Sequence, residues 1–308
     1  MTRQLPGTAL DRLREVADVE VWSERLPPSP DELRELAAGA SGLIAMLTDR
    51  VDAGLLEVCP DLVVVANYAV GYDNIDVAAL AERGVAVSNT PGVLTDATAD
   101  IAWALIMATA RRLPEGAAAV KEGDWLTWEP DWLLGQDVAG ATLGIVGYGR
   151  IGAAVARRAT GFGMEVLAWN RRPKEAEGVS FVALDELLER SDIVSLHCAL
   201  TPETEGLIGA AELQAMKTTA VLVNTARGAI VDQPALAAAL RAGEIFAAGL
   251  DVVVPEPIGI DHELLQIPSC LVLPHLGSAS VATRSKMADM VVDNVLAALA
   301  GHPLPNAI

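Results

Sequence analysis

The most informative stretch of this 308-residue chain reads Thr142-Leu-Gly-Ile-Val-Gly-Tyr-Gly-Arg-Ile-Gly-Ala-Ala-Val-Ala156. It combines a short apolar segment, a glycine-rich turn and a run of small residues. Gly147, Gly149 and Gly152 have the G-x-G-x-x-G spacing. In that motif the first glycine allows a sharp turn after a strand, the second lets a pyrophosphate approach the backbone, and the third lets the following helix pack against the sheet.

The residues around these glycines supply the context that the motif requires. Residues 143–146 are apolar and predict a strand, and residues 151–160 predict a helix. The start of this helix, where Arg150 and Ile151 lie, offers N–H groups and the positive end of its dipole to phosphates. Residues 165–169 predict the next strand of a βαβ unit. We therefore predict that this turn binds a dinucleotide; the alternative is an ordinary tight turn that binds no ligand.

Apolar strands and helices also alternate through the first third of the chain. The predicted strands are residues 19–22, 42–47, 62–66 and 85–89, and the predicted helices are residues 8–16, 31–38 with Ser29 as a cap, 52–59 and 76–83. Strands that are apolar on both faces indicate a parallel sheet with helices on each side. A sheet of this kind is expected to open with a strand before Thr2, and the sequence shows none there.

The rest of the chain continues the alternation. Further strands are predicted at residues 181–183, 192–197, 220–224, 245–254 and 271–273, and further helices at residues 97–112 and 184–190. The helix at 97–112 carries no charge between residues 101 and 110, so we expect it to be buried between two domains or two subunits. The whole pattern predicts an α/β fold with parallel sheets.

An aromatic segment follows that helix. Three of the six tryptophans of the chain lie within residues 125–132. Clustered tryptophans on a loop are more typical of a protein interface than of a catalytic element. We interpret this segment as a dimer arm.

Composition limits the classes of partner and compartment. The chain has 22 Lys and Arg against 41 Asp and Glu, a formal net charge of −19, which argues against nucleic acid or an anionic membrane as a partner. Its three cysteines are scattered and lack metal-binding spacing, so we expect reduced thiols in a cytoplasmic protein with no metal site. The first residues lack the apolar core of a signal peptide, and no apolar run approaches the ~18 residues of a membrane helix.

The end of the second strand of the βαβ unit indicates which dinucleotide binds. The motif expects Asp or Glu there, to hydrogen-bond the ribose hydroxyls. This chain has Asn170, Arg171 and Arg172 instead, with Lys174 close by. A ribose 2′-phosphate would be repelled by a carboxylate and would pair with a guanidinium. We therefore predict NADPH as the preferred cofactor over NADH; the alternative is a solvated basic turn.

Three polar residues each follow the end of a predicted strand: Arg227, Glu256 and His275. Because the carboxyl ends of parallel strands meet at one edge of a sheet, we expect these side chains to meet over a nicotinamide ring. Taken singly, each also has a structural interpretation, as a cation at a helix end, a loop charge and a structural histidine.

Together they suit the reduction of a 2-keto acid by a hydride from the cofactor. Arginine grips the substrate carboxylate and polarises the carbonyl through a planar fork that lysine cannot copy. Histidine donates a proton to the developing alkoxide near neutral pH. A hydrogen-bonded glutamate orients the histidine and favours its charged form. The sequence has no G-x-S-x-G elbow, which a Ser-His-Asp hydrolase of the α/β type would need.

Nearly the whole chain resembles the D-isomer-specific 2-hydroxyacid dehydrogenases, and within them the glyoxylate/hydroxypyruvate reductases. The stretches that carry the resemblance are Asn67-Tyr-Ala-Val-Gly-Tyr-Asp-Asn-Ile-Asp76, Asn89-Thr-Pro-Gly-Val-Leu-Thr-Asp96, Gly144-Ile-Val-Gly-Tyr-Gly-Arg-Ile-Gly152, Asn224-Thr-Ala-Arg-Gly228, Gly249-Leu-Asp251 with Pro255-Glu-Pro257, and Pro274-His-Leu-Gly-Ser278. One departure is the pair of valines at 253 and 254, where many relatives carry polar residues.

The resemblance implies roles for the polar residues already singled out. Arg227, Glu256 and His275 match the catalytic arginine, glutamate and histidine of the family. Val70 and Gly71 match the loop whose backbone binds the substrate carboxylate. For Arg227, Glu256 and His275, these roles agree with the chemistry inferred from the residue types alone.

The resemblance also implies cofactor contacts beyond the glycine turn. Thr95 matches a residue near the cofactor phosphates and the nicotinamide. Thr204 lies in a loop at the cofactor edge, and Thr225 and Asp251 fall within the matching stretches. We expect all four to contact the cofactor.

The architecture that the resemblance implies has two doubly wound parallel-sheet domains. A Rossmann nucleotide-binding domain, residues 91–277, is inserted into a flavodoxin-like substrate domain formed by residues 1–90 and 278–308, the latter with a returning helix. Family members are homodimers through the nucleotide-binding domain. We expect Trp132, rather than Trp128, to reach the partner's substrate site.

The function that we expect is therefore NADPH-dependent reduction of glyoxylate and hydroxypyruvate to glycolate and D-glycerate, with NAD as a second cofactor. One alternative is a reductase of the same family that acts on pyruvate or a bulkier 2-keto acid. Another is a dinucleotide-sensing binding protein that lacks meaningful turnover.

Overall fold

The computed structural model describes residues 1–172 and 174–308 of the chain. They form two compact units: Met1–Leu94 with Ser278–Ile308, and Thr95–Gly277. We call them unit 1 and unit 2. Each has its own parallel sheet, as the apolar strands predicted, so the α/β expectation is confirmed.

The described residues contain ten strands and eleven α-helices in chain order. The strands are β1 Gly42–Ala45, β2 Val64–Asn67, β3 Ala86–Ser88, β4 Thr142–Val146, β5 Glu165–Trp169, β6 Ser180–Phe181, β7 Ile193–Leu196, β8 Val221–Asn224, β9 Ala247–Leu250 and β10 Cys270–Val272. The helices are α1 Ala9–Arg14, α2 Pro30–Ala37, α3 Ala53–Val58, α4 Val77–Glu82, α5 Thr95–Ala110, α6 Leu113–Glu122, α7 Arg150–Ala159, α8 Leu184–Arg190, α9 Ala210–Ala215, α10 Gln233–Ala242 and α11 Val281–Leu299.

Unit 1 is a three-layer sandwich around the sheet β1-β2-β3. Alternate residues of its strands face opposite sides. Leu43 and Val65 pack toward α2, α3 and α4, whereas Ile44 and Val64 pack toward α1 and α11. The expected cap is present: Ser29 accepts a hydrogen bond from the Glu32 N–H, and the Glu32 carboxylate accepts one from the Ser29 N–H.

Unit 2 is doubly wound around a seven-stranded sheet in the order β10-β9-β8-β7-β4-β5-β6. Helices α5 and α7 cover one face, and α8, α9 and α10 cover the other. The order reverses beside β4, which carries the glycine turn, and ligands bind at such a reversal in parallel sheets. The loops that follow β4, β5, β7, β8, β9 and β10 hold most of the candidate site residues of this unit.

Helix α5 explains the uncharged run that the sequence shows. Ala102, Leu105 and Ile106 are fully buried, and the helix packs on α7, β8 and β9. The Trp103 ring stacks on Phe162 at 4.6 Å between centroids. The expectation that this helix is buried is therefore confirmed, and its position at an interface stays a prediction.

The structure differs from the other sequence predictions in three places. Residues 19–22 form no strand, because their backbone contacts are limited to Trp22 N–H donating to the Met1 carbonyl and the terminal amine donating to Glu20. The strand predicted at 245–254 ends at Leu250, where Asp251 turns its backbone and carboxylate toward a neighbouring loop. Helices α6, α9 and α10 were not predicted.

The aromatic segment lies on the surface of unit 2. The side chains of Trp125, Leu126 and Trp128 are 60%, 86% and 80% exposed, and Leu134 is 61% exposed. Trp132 is half-buried. Among the described residues, no helix is long and apolar enough to span a membrane.

Candidate active site

The glycine turn after β4 is shaped by close backbone contacts. Gly147 has a φ of +98°, and a Cβ there would overlap the backbone of Cys198, which follows β7. A Cβ at Gly152 would overlap the Gly147 carbonyl and press on Ile145. A side chain is therefore excluded at Gly147 by the chain that follows β7, and at Gly152 by the packing of α7 on the sheet.

Gly149 differs from these two glycines. It is the N-cap of α7, and a Cβ there would meet no atom within 4 Å. The side of the turn in front of the helix is thus open, while the sides facing the protein are filled. Such a cradle, at a helix start that bears Arg150 and Ile151, fits a dinucleotide pyrophosphate.

Asn170 ties the glycine turn to the end of β5. Its Oδ1 accepts a hydrogen bond from the Tyr148 N–H at 3.0 Å, and its Nδ2 donates to the Arg172 carbonyl at 3.2 Å. Lys174 Nζ donates to the Tyr148 carbonyl at 2.8 Å. This loop therefore holds the turn in shape, a role that the sequence did not suggest.

The cation predicted to select NADPH already has an acidic neighbour. Arg171 Nη1 lies 2.8 Å from Glu203 Oε2, in the loop after β7, and 3.5 Å from Thr201 Oγ1. Both charged side chains are more than half exposed. Hydrogen bonding by Thr201 and the nearby Arg171 keep the pKa of Glu203 below its ordinary value. Arg172 is exposed.

The loops after β8 and β9 press against each other. Gly228, which follows Arg227, has no room for a Cβ because the Val253 carbonyl occupies that space. The Asn224 side chain fixes the same turn: its Nδ2 donates to the Arg227 carbonyl at 2.8 Å, and its Oδ1 accepts from the Ala226 N–H at 2.9 Å. The arginine is thereby brought toward the loop that carries Glu256.

Glu256 and His275 form the pair that the sequence led us to expect. His275 Nδ1 lies 2.8 Å from Glu256 Oε2, and Glu256 Oε1 accepts from the Val253 N–H at 3.1 Å. Burial alone would raise the pKa of Glu256. The hydrogen bond and charge of His275, the Val253 N–H and the charge of Arg227 together hold that pKa below its ordinary value.

Asp251 anchors the loop that carries His275. Its carboxylate accepts the N–H groups of Leu276 at 2.6 Å and Gly277 at 2.7 Å, and its carbonyl accepts the His275 N–H at 3.0 Å. His275 has a φ of +55°, a conformation that is costly for a side chain with a Cβ and persists only where its surroundings enforce it. Burial raises the pKa of Asp251, and the two N–H groups oppose that rise.

His197, which follows β7, is a half-buried histidine that sequence reasoning did not single out. Its Nε2 lies 2.8 Å from Ser195 Oγ, and its Nδ1 lies 3.3 Å from the hydroxyl of Thr225. Burial lowers the pKa of His197 to about 3, so the ring is neutral. Thr204, also in the loop after β7, uses its hydroxyl within that loop and donates to the Ala199 carbonyl at 2.7 Å.

The remaining predicted residues lie elsewhere in the two units. Thr95 is the first residue of α5. Val70 and Gly71 lie in the loop after β2 of unit 1, and both are half-buried. Trp132 lies on the aromatic segment. Unit 2 thus brings together Glu256 and His275, with Arg227 close enough to bias the carboxylate; the roles of all predicted site residues remain predictions.

The described residues show no group of three or more His, Cys, Asp or Glu side chains able to hold a metal ion. What unit 2 offers instead is a phosphate cradle, a guanidinium and a histidine–carboxylate pair on one sheet edge. That set can bind a dinucleotide and an acid and can move one proton.

Comparison with known proteins agrees with this chemistry. Residues 103–277 match the family model of the D-isomer-specific 2-hydroxyacid dehydrogenase NAD-binding domain. A glyoxylate reductase of Korarchaeum cryptofilum is 50% identical over 313 aligned residues, covering all of this chain and 94% of the relative.

Solved structures show the same relationship. A protein of Thermus thermophilus shares 50% identity with a TM-score of 0.94, covering all of this chain and 98% of the other. An NADPH-dependent glyoxylate/hydroxypyruvate reductase of Sinorhizobium meliloti, in complex with NADP and malonate, shares 34% identity with a TM-score of 0.86, covering all of this chain and 95% of the other. The chain therefore belongs to the D-isomer-specific 2-hydroxyacid dehydrogenases, a family of NAD(P)-dependent oxidoreductases.

Proposed function

We propose that this enzyme reduces glyoxylate and hydroxypyruvate to glycolate and D-glycerate, with NADPH preferred over NADH. The observation that carries the proposal is the Glu256–His275 pair at 2.8 Å, on the sheet edge that also bears the glycine turn and Arg227. Relatives named glyoxylate reductase, up to 50% identical over the full length, support the substrate.

Each site residue has a part in this reaction. Arg227 binds the substrate carboxylate and polarises the keto group through its guanidinium. Protonated His275 gives the proton on its Nε2 to the carbonyl oxygen as it becomes an alkoxide, and solvent then restores that proton. Glu256 accepts the hydrogen bond from Nδ1 and so keeps Nε2 directed outward. When bound, the reduced nicotinamide supplies the hydride.

The cofactor is held mainly by backbone and basic groups. Gly147, Gly149 and Gly152 form the turn for the pyrophosphate, with the first N–H groups of α7 at Arg150 and Ile151. Asn170, Arg171 and Arg172 would hold the adenosine ribose, and Arg171 would pair with its 2′-phosphate. The family resemblance adds Thr95, Thr204, Thr225 and Asp251.

We also propose the two units as the functional domains. Unit 2 binds the cofactor, and unit 1 binds the substrate carboxylate through the backbone N–H groups of Val70 and Gly71. The chain forms a homodimer through unit 2, and the exposed aromatic segment forms the interface. Trp132 contributes to the partner's substrate site. The protein acts in the cytoplasm. Exposed tryptophans and leucines of this density support an interface.

A panel of 2-keto acids, assayed with NADPH and with NADH, tests the proposal. We expect the highest kcat/KM for glyoxylate or hydroxypyruvate with NADPH. A higher kcat/KM for pyruvate or a bulkier acid would show that the enzyme is a reductase of a different 2-keto acid within the same family. Tight cofactor binding without turnover of any keto acid would favour a dinucleotide sensor. Sedimentation analysis of the purified protein tests the dimer.

A further inference from the structure

Three consecutive peptide groups in the loop after β2 are each held by one donor. The Thr90 N–H donates to the Ala69 carbonyl at 2.9 Å. Asn89 Nδ2 donates to the Val70 carbonyl at 2.7 Å. Asn67 Nδ2 donates to the Gly71 carbonyl at 2.7 Å. All the donors come from β2 itself or from the residues directly after β3.

A held carbonyl also fixes an N–H group. A trans peptide is planar, so the C=O of one residue and the N–H of the next point in opposite directions. The bond to the Ala69 carbonyl therefore orients the Val70 N–H, and the bond to the Val70 carbonyl orients the Gly71 N–H. Among the described residues, neither N–H has a hydrogen-bond acceptor.

Both asparagines are themselves held in place, Asn67 through its side chain and Asn89 through its backbone. Asn67 is fully buried, and it shares a hydrogen bond of 3.3 Å with Asn74. The Asn74 amide also donates to the carbonyls of Met46 and Asp49, both at 3.0 Å. The Asn89 N–H donates to the Asn306 carbonyl at 3.4 Å. The loop is thus braced from β1, β2 and the C-terminal segment.

We propose that Asn89, supported by Asn67, is a positioning residue for substrate binding. Its amide turns the Val70–Gly71 peptide so that the Gly71 N–H, beside the Val70 N–H, is aimed at a carboxylate. The ligand class is a small α-keto or α-hydroxy carboxylate, which two adjacent N–H donors suit. This inference rests on the proposed function, because it assigns the loop to the substrate.

Replacement of Asn89 by leucine tests the inference, since leucine keeps the branched shape and removes the donor without adding charge. We expect the KM for glyoxylate and the inhibition constant of oxamate, a carboxylate inhibitor, to rise about five- to tenfold, as the loss of one hydrogen bond predicts. The dissociation constant of NADPH should stay within about twofold of wild type. Asn67→Leu should show a smaller shift in the same direction.

Ser29→Ala provides the matched control, because it removes the N-cap of α2 in the same unit without touching the loop. An Asn89→Leu enzyme that folds but keeps the wild-type KM and oxamate inhibition overturns the inference. So does a loss that Ser29→Ala reproduces. Wild-type protein that fails to reduce any keto acid would instead reject the proposed function, and oxamate binding measured by calorimetry would then decide the role of Asn89.

Discussion

His275 Nδ1 lies 2.8 Å from Glu256 Oε2, although the two residues belong to the loops of different strands, β9 and β10. One ring nitrogen is thereby committed to the protein. The other, Nε2, makes no hydrogen bond to any residue that the structure describes. A histidine anchored at one nitrogen and open at the other is arranged for proton transfer rather than for structural support.

Removal of the imidazole should affect catalysis and leave cofactor binding intact. We expect His275→Ala to lower kcat roughly 10²- to 10⁴-fold, the usual contribution of a general acid. The dissociation constant of NADPH, measured by fluorescence titration, should change little. His262→Ala is the control, because the His262 side chain caps a short 3₁₀-helix by accepting a hydrogen bond from the Leu264 N–H. A His275→Ala enzyme with near-normal kcat would refute the acid role.

The lowered pKa of Glu256 predicts a pH-dependent contribution to stability. The folded state favours the ionised carboxylate, so the contribution is complete above the unfolded pKa of about 4.3 and is lost as pH falls through the lowered folded value. Glu256→Gln should therefore be less stable than wild type at pH 7, and the difference should shrink toward pH 3. Urea unfolding across this range measures it, and a constant difference would contradict the assignment.

The Arg171–Glu203 ion pair predicts opposite effects on NADPH binding for its two members. Arg171→Ala should weaken NADPH roughly tenfold or more and leave NADH nearly unchanged, because it removes a charged partner of the 2′-phosphate. Glu203→Gln should tighten NADPH by about threefold, since both side chains are exposed and the competing charge is screened.

Fluorescence titrations with both cofactors compare these variants. Arg190→Ala is the matched control, because Arg190 also pairs with carboxylates but lies on α8, where it contacts Glu165 at the start of β5. Equal losses of NADPH and NADH in Arg171→Ala would count against the 2′-phosphate contact. Unchanged NADPH binding in Glu203→Gln would show that the glutamate does not compete.

The lowered pKa of His197 should make the protein sensitive to mild acid. Its pKa of about 3 in the folded state lies below the unfolded value of about 6.5. Between those values the unfolded chain binds a proton that the folded protein excludes. The free energy of unfolding therefore decreases as the pH is lowered, by up to about 1.4 kcal/mol per pH unit.

His197→Gln should remove this part of the slope between pH 7 and pH 5, whereas Ser195→Ala, which removes a neighbour of the ring and keeps the titrating group, should retain it. Urea unfolding at several pH values gives both slopes. Parallel slopes for wild type and His197→Gln would show that the ring takes up its proton in the folded state.

Patterns local in sequence predicted the fold. Apolar strands such as β5 and β8 are buried on both faces, which only a helix-covered parallel sheet provides, and the spacing of Gly147 to Gly152 located the turn of the nucleotide unit. The Glu256–His275 hydrogen bond was expected because strand ends of a parallel sheet share one edge. Short helices such as α9 escaped prediction because their six residues carry less than two turns of periodicity.

Contacts between distant residues could not be predicted in this way. Asn89 lies in a recognisable stretch, but its amide meets a carbonyl nineteen residues away. His197 looks like any polar residue at a strand end until its contacts with Ser195 and Thr225 are seen. The Arg171–Glu203 pair links two loops, and charge alone does not identify which acid faces the basic turn. These features depend on how loops from separate strands converge.

The absence of a side chain at residue 228 constrains how this enzyme can change. Even one methyl group there would collide with the Val253 carbonyl. It would push apart the loop that carries Arg227 and the loop that carries Glu256, the partner of His275. Directed evolution toward new acids should therefore leave this glycine untouched and draw its diversity from the unit that bears Val70. Libraries that randomise residue 228 are expected to yield almost exclusively inactive clones.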